Sequence, residues 1–455
     1  MTSHFNLEAH FANGENALEQ AFARRNLFPW IQRGVRPLAN PHSRYRELVS
    51  QKTTRKCVAY VHIPFCANHC LFCGFYRDRS SEEVMRDYVD HLIREIESDP
   101  AKERADTINA VYLGGGTPSA LSAKDLQRVI GTLRNNLSLA PDCEITVEGR
   151  VAGFDDERVD ACFDAGVNRI SIGIQSFDTN LRRRFGRKAD KKDIVSFLSG
   201  LCDRDKGVIV CDLIFGLPGQ TRQMWEEDIR LCASLKLDGV DLYCLTVHEK
   251  GPLALSIEKG ALPLQAPLPE MAQMYEAGLE IIEHAGWRHL NQAHWAAGTR
   301  ERNLYNQLVK AGADCLAFGS GAGGMLDGHR YVVDGDRASY QRRIVEGEKP
   351  VAMILPPARH YQARDLVMGG IEGGRLDLAA LEYLTAPGFV DALSPLVNQW
   401  EQSGLVVQKG TVITLTTAGW FWHCNLVGSL FELIAIFMDG RAVDLPRFEF
   451  TKTGK

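Results

Sequence analysis

Six apolar, β-branched runs alternate with stretches of helical periodicity between residues 57 and 246, and this rhythm constrains the fold more than any other feature. The runs cover 57–63, 109–113, 143–148, 169–174, 208–214 and 240–246. Helical spacing of apolar residues fills 82–98, 122–137, 155–165, 190–203 and 221–236. Strands apolar on both faces, each followed by a helix, predict a parallel sheet with right-handed crossovers. Six such units make an incomplete (β/α)6 barrel, an α/β fold in which chemistry sits at the C-terminal ends of the strands.

The first run ends at Pro64 and enters a loop carrying Cys66, Cys70 and Cys73, a C-x3-C-x2-C array. Thiolates at this spacing converge from one loop on one inorganic centre. Three are one short of the four that usually hold an iron–sulfur cluster, which leaves an open iron. The alternatives are a zinc knuckle lacking a ligand and three unrelated thiols. Most of the other cysteines lie in apolar runs, where reduced buried thiols are expected. A cluster with an open iron also needs a reducing compartment. With no apolar segment at the N-terminus and a late apolar stretch, Leu426 to Met438, too short to span a bilayer, a cytoplasmic protein without a membrane span is expected. The net charge of −5 gives no general attraction to nucleic acid or anionic lipid.

Polar residues mark the ends of the later strands. Gly114, Gly115 and Gly116 precede Thr117-Pro118 after the second, where bare backbone either makes a turn or approaches a ligand. Glu148 ends the third strand and reads either as a ligand-binding carboxylate or as a surface ion pair. Arg150 follows and adds positive charge near the mouth. Gln175 ends the fourth strand, and Arg187 follows twelve residues on. Asp212 lies in a strongly apolar fifth strand, so it needs a partner, either Arg187 or a ligand. Tyr243, Leu245 and Thr246 close the sixth.

Together HIPFC (62–66), LGGGTP (113–118), GIQSF (173–177) and DLIFGLPGQT (212–221) resemble the radical S-adenosylmethionine (SAM) superfamily. The resemblance is to the branch of oxygen-independent coproporphyrinogen III dehydrogenase, and it covers about 55–350 well. It implies a [4Fe-4S] cluster on Cys66, Cys70 and Cys73, whose open iron chelates the amino and carboxylate groups of SAM. It further implies SAM-site roles for Tyr60, Phe72, Gly115, Gly116, Thr117, Glu148, Gln175, Arg187, Asp212 and Thr246. Gly116, Thr117, Gln175, Arg187 and Asp212 resemble positions that span two SAM molecules in the dehydrogenase. Relatives often carry a neutral residue and then proline after the glutamate; Gly149-Arg150 departs from that.

Within this branch the CANHCLFCGFYRDR loop, the long polar N-terminal arm and the VHEKGPLALSIEKGALP segment are most similar to the haem-utilisation enzymes of the anaerobilin synthase type. That resemblance implies reductive cleavage of SAM, anaerobic opening of haem with transfer of SAM-derived carbon to a linear tetrapyrrole, and release of iron. It also implies a low-potential electron donor such as flavodoxin, and no side-chain acid or base is assigned to the first step. The alternatives are decarboxylation of coproporphyrinogen III and a non-catalytic haem chaperone. His294 and His329, beside aromatic and glycine-rich stretches, are candidate substrate contacts with Arg150, and AFGSGAGG (317–324) suggests backbone lying flat on a planar ligand. Arg77 and Arg79 are further cations for haem propionates or an acidic donor.

Three regions are expected: an arm at 1–55, a partial barrel with a substrate-facing extension at 56–355, and a mostly helical, winged-helix-like unit at 356–455. The arm includes a helix from about Asn16 to Arg25 and lies either on the surface or over the barrel mouth. The last unit has helices near 359–369, 377–384 and 388–403, then a hairpin through Lys409-Gly410. It lacks a basic stripe for phosphates, so a lid over the substrate is expected rather than DNA binding.

Overall fold

The computed structural model describes residues 6–13, 15–26, 35–74 and 81–440. Phe75, Arg77 and Arg79 lie outside the described residues, so the readings placed on them have no structural counterpart. Six parallel strands follow one another as β1 (Cys57–Ile63), β2 (Ile108–Gly115), β3 (Leu139–Gly149), β4 (Arg169–Gln175), β5 (Val208–Phe215) and β6 (Gly239–Cys244). Their crossover helices are Glu82–Ser98, Ala123–Asn136, Asp156–Asp164, Lys191–Asp203 and Arg222–Ser234. Each of these starts where expected because a side chain caps it. Ser81, Ser122, Asp155, Asp190 and Thr221 each accept a hydrogen bond from a backbone N–H in the first turn.

The parallel run is longer than the six strands expected. β7 (Arg288–Asn291) and β8 (His294–Ala296) pair antiparallel beyond β6. β9 (Asp314–Phe318) then returns to the opposite edge and pairs in parallel with β1, Val58 opposite Cys315. β10 (Gly323–Leu326), β11 (His329–Val333) and β12 (Val351–Leu355) extend that edge antiparallel.

The glycines of 317–324 have a packing reason. A Cβ at Gly319 would lie 2.5 Å from the His62 carbonyl and 2.5 Å from the Tyr88 hydroxyl. Glu95 accepts from the Gly319 N–H at 2.8 Å. This stretch closes β9 against helix Glu82–Ser98 and is not a flat platform for a planar ligand.

Beyond 355, helices Tyr361–Glu372, Leu378–Leu384, Phe389–Gln402 and His423–Asp439 surround a three-stranded sheet of Arg375–Asp377, Val406–Lys409 and Val412–Leu415. The N-terminal arm is clamped to this unit. The Trp400 indole donates to the His10 carbonyl at 3.0 Å, Trp422 to the Ala17 carbonyl at 2.8 Å, and Arg25 Nε to the Phe421 carbonyl at 2.9 Å. The helix expected from Asn16 to Arg25 is only one turn, Ala17–Gln20, the arm has a second helix at Pro41–Val49, and none of its described residues lines the cavity at the strand ends. Among the described residues no helix is long and apolar enough to cross a membrane.

Candidate active site

The C-terminal ends of β1 to β6 surround a cavity of about 490 Å³, and Cys66, Cys70 and Cys73 line one wall of it. Cys66 and Cys70 are buried and Cys73 is half-buried. Burial pushes the Cys66 thiol up, so metal binding must supply the driving force for deprotonation. Cys66 Sγ lies 3.2 Å from Thr117 Oγ1, and Arg150 Nη2 lies 3.3 Å from Cys70 Sγ. Arg150 is therefore at the thiols, within the site. Among the described residues no three His, Cys, Asp or Glu side chains close on a single metal ion. The thiols instead edge a space wide enough for a larger centre with a ligand beside it.

The glycine run lies against this loop. Gly116 N–H donates to the Ile63 carbonyl at 2.7 Å, and a Cβ there would meet the Phe65 carbonyl at 2.6 Å. Gly115 has φ of +103°, and a Cβ would sit 2.5 Å from the His62 ring. Only bare backbone fits, so Gly115 and Gly116 pack tightly against His62, Ile63 and Phe65 and seat the run on the cysteine loop. Gly116 and Thr117 line the cavity; Gly115 shapes it from behind.

Glu148, Gln175, Arg187, Asp212 and Thr246 reach the same cavity, as does Phe72. Burial raises the Glu148 carboxyl, opposed by hydrogen bonds from Tyr112 and the Gly115 N–H. Gln175 takes the left-handed φ of +68°, and its Oε1 is buried without a partner. A strained backbone and an orphaned acceptor at the end of a strand are the marks of a ligand site. Arg187 Nη1 donates to the Gly173 carbonyl at 2.8 Å, its guanidinium lies 5.8 Å from the Phe72 ring centroid, and its Nε is orphaned. Burial holds its pKa below the usual arginine range.

Asp212 does not pair with Arg187. Ser171 donates to it at 3.0 Å, and burial, then the neighbouring Asp241 and Glu148 carboxylates, push its pKa up to about 7. The reason is direction: Arg187 turns to the β4 carbonyl, while Asp212 shares the barrel interior with other acids. Asp241 is paired with His294, while Glu148 and Asp212 form no ion pair among the described residues, which leaves room for a cationic or hydroxyl-rich ligand.

Three expected residues are elsewhere. Tyr60 lies inside the barrel, its hydroxyl 3.1 Å from His62 Nδ1 and its ring stacked 6.5 Å from Tyr112; it does not line the cavity. His294 is fully buried between Asp241 at 3.0 Å and Glu301 at 3.1 Å. Burial would lower it, but the two carboxylates outweigh that and raise it to about 9, so it is a structural cation and no substrate contact. His329 begins β11 with Nε2 3.1 Å from Arg44, close to Asp327 and away from the strand ends that bear the cavity. No lining residue comes from beyond Asn306, so the described part of the C-terminal unit does not reach this cavity.

Tyr243, at the end of the sixth strand, lines the cavity as well, and Tyr112, Ser171, His248 and Asn306 line it beyond the residues expected from sequence. Ser171 shares strand parity with Gly173 and Gln175, a signal that was available. Asn306 comes from helix Leu304–Lys310, and nothing local marks it.

Residues 60–232 match the family model described as the Radical SAM superfamily. An anaerobilin synthase of Escherichia coli O157:H7 is 45% identical over 437 residues, covering 94% of this chain and 96% of that protein. The heme chaperone HemW of Lactococcus lactis is 32% identical over 273 residues, 60% of this chain and 70% of the chaperone. The solved structure of coproporphyrinogen III oxidase (HemN) from Escherichia coli superposes with a TM-score of 0.72 at 22% identity, covering 86% of this chain and 93% of that one. At that identity the likeness concerns the fold.

Proposed function

This chain belongs to the anaerobilin synthase family of radical SAM proteins, and from that premise we propose that it degrades haem without oxygen. The products are a linear tetrapyrrole bearing SAM-derived carbon and free iron. The observation that carries the reading is the reach of the similarity. The anaerobilin synthase aligns over 94% of the chain at 45% identity, whereas the HemW chaperones align over 57–79% of it at 24–32% identity.

The residues fit the cofactors this requires. Cys66, Cys70 and Cys73 would hold a [4Fe-4S] cluster and leave one iron for SAM. Gly116 presents backbone, and Glu148, Gln175 and Asp212 present polar groups to a ligand of mixed charge and hydroxyl character. When bound, the cluster supplies the low-potential electron for reductive cleavage of SAM. The chain's own part is to bind, orient and exclude water. Arg187, fixed by the Gly173 carbonyl and the Phe72 face, offers a rigid donor to a carboxylate. Arg150 sets a positive charge beside Cys70, where a propionate would also be received. Phe72, Ile214 and Leu245 supply apolar wall.

A low-potential donor such as flavodoxin would deliver the electron, in a reducing compartment such as the cytoplasm. Residues 1–55 serve as a strap, 56–355 as the catalytic barrel and 356–455 as a supporting unit. The test is anaerobic incubation of reconstituted protein with SAM, haem and reduced flavodoxin, followed by mass spectrometry. Turnover of haem upholds the reading. An unchanged haem peak overturns it, and loss of carbon dioxide from coproporphyrinogen would assign the dehydrogenase activity instead.

A further inference from the structure

The chain is acidic overall, at −5, yet residues 182–192 (RRRFGRKADKK) carry seven arginines and lysines against one aspartate. Two of the seven, Arg182 and Arg187, face inward: Arg182 is tied to the Ile174, Ser176 and Ala189 carbonyls, and Arg187 to that of Gly173. The other five, Arg183, Arg184, Lys188, Lys191 and Lys192, are exposed. None of the five forms a salt bridge with any described residue. Five exposed cations outnumber the adjacent Asp190 and Asp193 and repel one another, a concentration of positive charge that stands out on a chain of net negative charge.

This segment packs directly on the cysteine loop. Leu71 N–H donates to the Phe185 carbonyl at 3.3 Å, and the Asn68 amide donates to the Gly186 carbonyl. Ala67 and His69, between Cys66 and Cys70, are exposed beside it. A small side cavity of about 310 Å³, lined by Asn68, Arg150, Arg182, Arg187 and Lys188, joins the basic segment to the thiol wall. The positive face therefore begins at Cys70, where Arg150 Nη2 is 3.3 Å from Sγ, and continues outward through Lys188 to the exposed arginines. Arg183 and Arg184 line neither this cavity nor the larger one, so they are placed to meet a partner outside.

We propose that Arg183, Arg184 and Lys188, seated against the cysteine loop, form the docking face for an acidic electron-donor protein. The proposal rests on the reading of Cys66, Cys70 and Cys73 as a cluster site. A donor held there is one loop thickness from the thiols, and its reduced cofactor is the electron source. One electron passes, the donor is oxidised and the cluster is reduced, with no bond made or broken. Charge complementarity of this kind speeds encounter and fades with salt. Two haem propionates would need fewer cations and would enter the larger cavity.

The experiment compares the reconstituted wild-type protein with R183E/R184E/K188E, using reduced flavodoxin in one arm and dithionite in the other. Reduction is followed anaerobically by bleaching of the cluster absorbance, which needs neither SAM nor haem. The expected result is a roughly tenfold or greater loss of rate with flavodoxin. Wild type should slow as salt rises and the variant should not, while the dithionite arm stays equal and certifies an intact cluster. Carbodiimide cross-linking of flavodoxin to the wild type should map to Lys188, Lys191 or Lys192, and this readout does not depend on the cluster. Equal flavodoxin rates in the two proteins, or cross-links confined to another face, would overturn the proposal. An equal flavodoxin rate with a raised KM for haem would assign the cations to propionates instead. Salt-sensitive bleaching in a protein that leaves haem unchanged would uphold the docking face and defeat the haem reading.

Discussion

Tyr112 donates its phenolic hydrogen to Glu148 Oε1 across 2.7 Å, joining β2 to β3 at the wall of the cavity. Burial drives this carboxyl upward, and the tyrosine is one of two donors that hold it down. If Glu148 binds SAM as its ionised form, Tyr112→Phe removes one of those donors and leaves the carboxylate less available. A hydrogen bond to a charged group is worth about 1.5–3 kcal/mol, so SAM should bind roughly tenfold more weakly. Equilibrium dialysis with the reconstituted protein measures this, and an unchanged affinity would remove Glu148 from the SAM site.

Asp212 gives the site a pH dependence. Its pKa is raised from 3.8 to about 7 by burial and by Asp241 and Glu148. The folded protein therefore keeps a proton that the unfolded chain releases between those values. Stability of the ligand-free protein should fall as pH rises across that window and level off above about 7. SAM affinity should run the other way, since the ionised carboxylate is the acceptor for ligand hydroxyls. Asp212→Asn should flatten both profiles. A wild-type SAM affinity flat from pH 6 to pH 8 would sink this assignment.

Gln175 pays for its position with a left-handed backbone. Gln175→Gly relaxes that conformation, while Gln175→Ala keeps it and deletes the same amide. The glycine variant should be more stable than the alanine variant by about 1 kcal/mol, read by thermal melts. Both should lose SAM affinity. Equal stability would mean the φ of +68° carries no strain.

His294 tests the separation of structural from substrate-facing histidines. With its pKa raised from 6.5 to about 9 between Asp241 and Glu301, it stabilises the fold fully below 6.5, and the contribution is lost as pH rises through about 9. His294→Ala leaves the buried Asp241 carboxylate without its cation, while Glu301 keeps Arg169 at 3.0 Å, and should cost roughly 3–5 kcal/mol. The haem absorbance of the variant that remains folded should match wild type. A normal melt with an altered haem spectrum would reverse this reading.

The six strands of the barrel were legible because each is a short β-branched run closed by a cap or a glycine. The polar residues at their ends follow from strand parity, which carries Ser171, Gly173 and Gln175 to one face. What sequence could not carry was partnership across distance. β9 sits beside β1 through pairs such as Cys57 with Asp314, far apart in the chain, and no local period announces it. His294 beside Trp295 has the look of a ligand residue, and its real partners, Asp241 and Glu301, become visible only when β6, β8 and the following loop meet. The glycines at 319–324 looked like a platform because a missing side chain does not say what fills its place. In the fold it is Tyr88, His62 and Tyr331. The cysteine loop and Asp212 were found for opposite reasons, one by spacing and the other by an acid out of place in an apolar strand.

Transfer of label decides the central claim most directly. Reconstituted protein is incubated anaerobically with haem, reduced flavodoxin and SAM carrying a ¹³C methyl group, and the tetrapyrrole is analysed by mass spectrometry. The prediction is a ring-opened, iron-free tetrapyrrole that carries the labelled carbon, with loss of the product when Cys70 is replaced by alanine. Haem recovered intact, or a ring-opened product without label, would contradict it.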